Sequence, residues 1–190
     1  LLAAQRASFE PAKERLGRFL GVLPFPPAFY TLLGLVLALV AAYTYQDSPL
    51  QAALWGTAAS LTDFVDGAVA RAQNKTSAWG NYLEAIVDRL VELILLLAMS
   101  GLGPVTSWAI AACMLISYAK PRAALVTPLD NHDWPGIGDH ADRMVILLLS
   151  MAAAQFSGSL AQAGLALLTG VALVGALQRL RYAYQIIHRD

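Results

Sequence analysis

The chain has 190 residues, of which 57% are hydrophobic and only 14% charged, with a mean hydropathy of +0.54. Soluble domains carry about 25% charged residues, so this composition points to an integral membrane protein of one main domain. Thirteen Lys and Arg balance thirteen Asp and Glu, so no basic excess suggests nucleic acid as a partner. The lone Cys113 excludes an internal disulfide or a cysteine metal cluster.

The first segment mixes charges with Phe9, Leu16, Phe19 and Leu20. Pro11 suits a first helical turn, so residues 11–23 read as an amphipathic helix on the membrane surface. "LPFPP" at 23–27 breaks it. The chain thus divides into an N-terminal arm, 1–27, and a membrane domain, 28–190. Six apolar stretches follow, at 29–45, 50–71, 79–99, 104–126, 139–157 and 160–187. A span needs about 20 such residues. The runs are continuous rather than alternating, which favours helices over a barrel. The expected fold is all-α, with six transmembrane helices preceded by the amphipathic juxtamembrane helix. Gly164, Gly170 and Gly175 in the last stretch would let helices pack closely.

Charge alternates between the connections. "YQDSPL", "SGLGP" and "FSGSLAQ" hold no Lys or Arg, whereas the arm and the segments 71–75, 120–143 and 179–189 hold nearly all of them. The positive-inside rule then places both termini in the cytoplasm. Arg179 and Arg181 read as the cytoplasmic boundary of the sixth helix. Trp55, Trp79, Trp108 and Trp134 are scattered and read as interface anchors. His132 and His140 read as solvated loop, and His188 as tail.

The same rule puts "SLTDFVDGAVARAQNKTSAWGNYLEAIVDRLVE", residues 60–92, at the cytoplasmic ends of the second and third helices. Asp63 and Asp66, three apart, share one helix face. Gly80, Glu84 and Asp88, four apart, line another, and Gly67 and Gly80 leave room for close approach. Each acid near mid-membrane costs about 2.5–3.5 kcal/mol, and four together repel. Two divalent cations would balance the four charges. Oxygen-only ligands favour Mg²⁺, Mn²⁺ or Ca²⁺ over Zn²⁺. A structural carboxylate–arginine network using Arg71 and Arg89 is the other reading the spacing allows.

"DFVDGAVAR", eight further residues, then "GNYLEAIVD" resembles the signature D-x-x-D-G-x-x-A-R…G-x-x-x-D-x-x-x-D of the CDP-alcohol phosphotransferases. The resemblance implies that CMP is displaced from a CDP-linked lipid by a polar alcohol, with two divalent cations, Mg²⁺ or Mn²⁺. It implies metal ligation by Asp63, Asp66, Glu84 and Asp88, with Asp88 also the base. It implies CDP binding around Asp63, Asp66, Gly67, Ala70, Arg71 and Gly80. It further implies a homodimer in a prokaryotic plasma membrane, with its active site cytoplasmic. Glu84 departs from the family's aspartate and is longer by about 1.5 Å.

"SYAKPRA" and "GDHADR" are similar to segments of the branch that makes phosphatidyl- or archaetidyl-inositol phosphate. That likeness implies Lys120, Arg122 and Arg143 as contacts for an acceptor phosphate, with His140 standing where the branch has arginine. Other readings stay open: a CDP-headgroup transferase acting on a lipid alcohol, a divalent-cation transporter, and a weakened homologue that only holds nucleotide.

Overall fold

The structure is a computed structural model that describes residues 25–127, 134 and 136–188. The helix expected at 11–23 lies outside these residues, as does His132. Among the described residues there are six α-helices and no strand. They are α1 (Pro27–Thr44), α2 (Pro49–Ala72), α3 (Ala78–Ala98), α4 (Pro104–Ala124), α5 (His140–Ala153) and α6 (Gly158–Ile187). A 3₁₀ turn, Ser100–Leu102, precedes α4.

Local chemistry sets several of the starts. Proline at the first turn of α1, α2 and α4 supplies a helical φ where its missing N–H is not needed. Ser48 and Ser77 cap α2 and α3, their side chains accepting from the N–H of Gln51 and Gly80.

Consecutive helices run in opposite directions, with short connections except between α4 and α5. α1 packs on α2 and α3, α2 on α5, and α6 on both α4 and α5. The starts of α1, α3 and α5 therefore gather at one end of the bundle with the finish of α2, α4 and α6.

Small side chains bring the helices together. Ala38 and Ala41 of α1 and Ala52, Ala53 and Ala59 of α2 are buried, and the two helices pack on one another. A Cβ added at Gly164 would collide with Ser150, and one at Gly175 with the carbonyl of Ile137. Gly170, expected to serve the same purpose, faces open space. Leu95, Leu96, Ile116, Leu147, Leu165 and Leu168 fill the centre. Many outward residues are also apolar and exposed, among them Val36, Leu39, Leu54, Leu97, Leu149 and Leu177.

Among the described residues, two helices are long and apolar enough to cross a membrane by themselves, α1 and α6. α5 has only 14 residues, and α2 and α3 carry the acidic stretch.

Candidate active site

The last turns of α2 carry Asp63 and Asp66, and the first half of α3 carries Glu84 and Asp88. Carboxylate oxygens of Asp63, Asp66 and Glu84 all lie within 4.8 Å of one another. Asp88 stands beside Asp63, and both line the same cavity. The two helices thus bring all four sequence-expected acids to one place.

Asp66 is only 3% exposed. Its Oδ2 accepts a 2.5 Å hydrogen bond from the Thr31 hydroxyl on α1. Its Oδ1 and that of Asp63 are buried with no hydrogen-bond partner among the described residues. Buried acceptors are nearly always satisfied, and like charges at this separation repel strongly. A divalent cation held by Asp63, Asp66 and Glu84, with Asp88 beside them, answers both demands. An all-oxygen donor set is the chemistry that Mg²⁺ or Mn²⁺ requires.

Two cavities meet at this cluster. The larger, about 290 Å³, is lined by Asp63, Asp66, Asp88 and His140, with an apolar wall that includes Phe64 and Leu148. The smaller, about 150 Å³, is lined by Asp66, Gly67, Ala70, Ser77, Gly80 and Glu84. Thr31 and Asp66 border both. A Cβ added at Gly67 would lie 3.6 Å from Arg71 Nη1, so the Arg71 side chain lies over the bare backbone there. The glycines and Ala70 expected to admit the CDP moiety therefore do flank a concavity beside the acids.

A second charged cluster lies deeper between α3, α4 and α5. Glu92, one turn beyond Asp88, is 0% exposed, and Arg143 is 1% exposed. Arg143 Nε and Nη2 donate to the two oxygens of Glu92 at 2.6 and 2.8 Å. Its Nη1 donates to the Gly138 carbonyl at 2.8 Å, and Nη2 also to Ser117 Oγ at 3.1 Å. Arg89 Nη1 reaches Glu92 Oε2 at 3.2 Å and His140 Nδ1 at 2.6 Å.

Two sequence expectations change here. Arg143, expected among the basic residues offered to an acceptor, is buried and has most of its N–H donors engaged within the protein. His140, read as solvated loop, is a first-turn residue of α5 that joins this cluster and lines the larger cavity. Lys120 is half-buried and Arg122 exposed near the end of α4. Arg179, read as a boundary marker, bonds the Ile116 carbonyl and Asp139 Oδ1, each at 2.9 Å.

The sequence reading missed Thr31 and Glu92. Glu92 continues the four-residue stripe Gly80, Glu84, Asp88, and that spacing was the signal available. Thr31 lies 35 residues from Asp66 and carried no such signal.

Comparison with known proteins gives this geometry a class. A model of the family described as CDP-alcohol phosphatidyltransferase matches residues 25–176, and the chain belongs to that family. It is a transferase that moves a phosphatidyl-type group from a CDP-linked lipid to an alcohol and releases CMP, so the cation-transporter reading falls away. The chain is 28% identical to the archaetidylinositol phosphate synthase of Pyrococcus horikoshii over 155 residues, 79% of this chain and 81% of that protein. Its fold matches the phosphatidylinositol phosphate synthase of Mycobacterium tuberculosis with CDP-DAG bound. The TM-score is 0.77 at 22% identity, over 90% of this chain and 93% of that one. The same synthase in complex with manganese and citrate also gives a TM-score of 0.77, at 22% identity, over 90% and 88%.

Proposed function

We propose that this transferase uses a CDP-diradylglycerol-type donor and a phosphorylated polyol of the inositol phosphate class as acceptor. The single observation that carries the site assignment is the buried, unsatisfied acid cluster between two cavities. The names of the relatives support the acceptor class.

In this reading Asp63, Asp66, Glu84 and Asp88 hold two divalent cations, Mg²⁺ or Mn²⁺. When bound, the metal neutralises the pyrophosphate and eases departure of CMP. Gly67, Ala70 and Gly80 admit the CDP moiety to the smaller cavity, which Asp66 lines and Asp63 adjoins from the larger one, and Arg71 pairs with a phosphate. Thr31 fixes the rotamer of Asp66. The acceptor enters the larger cavity, and Lys120 and Arg122 draw its phosphate toward that end of the bundle. Asp88 takes the proton of the attacking hydroxyl. The acceptor oxygen bonds to the phosphatidyl phosphorus as the phosphorus–oxygen bond to CMP breaks.

The apolar outer surface and the two spanning helices support a reading in which all six helices lie in the bilayer, within a membrane domain covering 28–190. The acid end faces the cytoplasm of a prokaryotic cell. The family resemblance supports a homodimer, which light scattering of the detergent-solubilised protein checks. The activity test is CMP release by purified protein with CDP-diacylglycerol, Mg²⁺ or Mn²⁺ and a panel of alcohols. Release should be fastest with inositol phosphate. Faster release with unphosphorylated inositol, or with a lipid alcohol and a soluble CDP-alcohol, would replace this acceptor assignment.

A further inference from the structure

We propose that His140 is a specificity-determining residue for the acceptor, an Nε2–H donor held in place by Arg89 and Glu92. The inference rests on the acceptor site assigned above and names a residue of that site.

The tautomer follows from the partners. Arg89 Nη1 lies 2.6 Å from His140 Nδ1. A guanidinium has only donors to offer, so Nδ1 must accept and the ring proton sits on Nε2. A proton on Nδ1 would face the Arg89 N–H directly. His140 occupies the first turn of α5. His140 lines the larger cavity together with Asp63, Asp66 and Asp88. Among the described residues Nε2 has no hydrogen-bond partner.

The ring is held from several sides. Glu92 binds Arg89 at one oxygen and takes Arg143 on both, and Arg143 ties back to the Gly138 carbonyl just before α5. Gln178 Oε1 accepts from the Ile137 N–H at 2.9 Å, and Arg179 pairs with Asp139. The residues entering α5 are therefore pinned to α6 on one side and α3 on the other. Glu92 never meets the cavity; it acts as a positioning residue through Arg89 and His140. An N–H donor at this wall suits a hydroxyl or phosphate oxygen of the acceptor.

The test is steady-state CMP release with CDP-diacylglycerol and inositol phosphate, varying each substrate in turn. H140L should raise the acceptor KM about five- to tenfold, the usual yield of one lost hydrogen bond. The KM for the CDP-lipid should stay within about twofold, and H140Q, whose amide can donate from nearly the same place, should restore the acceptor KM. E92Q should raise the acceptor KM in the wild-type background but add little on top of H140L. An unchanged acceptor KM in H140L, or equal rises for both substrates, overturns the role of His140 while leaving the transferase assignment intact. Independent, multiplying effects of E92Q and H140L overturn the role of Glu92. Because His140 is partly exposed at the start of a helix, its variants carry the test even if E92Q folds poorly. Failure of the wild type to release CMP with any phosphorylated polyol would remove the acceptor assignment and this inference with it.

Discussion

Asp66 and Glu92 are both buried carboxylates, at 3% and 0% exposure, yet the protein treats them in opposite ways. Glu92 receives two bonds from Arg143, a third from Arg89, and lies 3.5 Å from His140. Asp66 receives one hydroxyl bond, stands among other acids, and keeps an oxygen unsatisfied. A buried charge must be neutralised somehow. Where the chain supplies its own guanidinium, the carboxylate is architecture. Where it supplies only more carboxylates, the counter-charge has to come from solution.

Substitutions at the two places should therefore fail differently. The largest effect is expected at the unsatisfied acid. Asp66→Asn should lower CMP release by about a thousandfold or more, in keeping with the charge stabilisation a catalytic metal supplies, while the thermal unfolding midpoint in detergent moves little or rises. A large fall in unfolding temperature would mean that Asp66 is structural after all. Chelation with EDTA should abolish turnover in the wild type, with recovery on adding Mg²⁺ or Mn²⁺. Activity that survives chelation would contradict the metal assignment.

Next in size is the paired acid. Glu92→Ala should destabilise the fold by about 3–5 kcal/mol, because Arg143 is left buried and uncompensated. Replacing both partners with Glu92→Leu and Arg143→Met should recover much of that loss, and equilibrium unfolding of the double variant and its two single variants would measure it. Destabilisation that merely adds in the double variant would argue against a direct pair.

Smaller again is Thr31→Val, which removes the bond to Asp66 Oδ2 without changing shape. Hydrogen bonds to charged groups are worth about 1.5–3 kcal/mol, so metal affinity should fall by roughly ten- to a hundredfold in a titration of activity against Mg²⁺. Least of all is Glu84→Asp. It keeps the charge and shortens the reach, and should alter the Mg²⁺ to Mn²⁺ activity ratio by a few-fold. An identical ratio would show that the departure from the family's aspartate is silent.

Much of the fold was legible because helices announce themselves locally. Every expected span begins within two residues of an observed helix, since apolar runs, prolines and Ser48 or Ser77 all speak to neighbouring backbone. The four acids were legible for the same reason: spacings of three and four are read on one helix at a time. What stayed hidden came from across the bundle. The pairing of Glu92 with Arg143 joins residues 51 apart, and no periodicity on α3 says which side chain α5 will present. Thr31 met Asp66 only because alanines and glycine let α1 approach α2 closely. His140 looked like loop because α5 starts immediately at it, without a side-chain cap.

The long separation of Glu92 from Arg143 also orders events during synthesis. A nascent chain that ends before residue 143 carries Glu92 on α3 with no Arg143 to meet it. In a bilayer that half-made bundle holds an acid costing about 2.5–3.5 kcal/mol, until α5 enters. The arrival of α5 adds the two-pronged Arg143 contact to the Arg89 contact that Glu92 already has on α3, and brings His140 to the larger cavity in the same step.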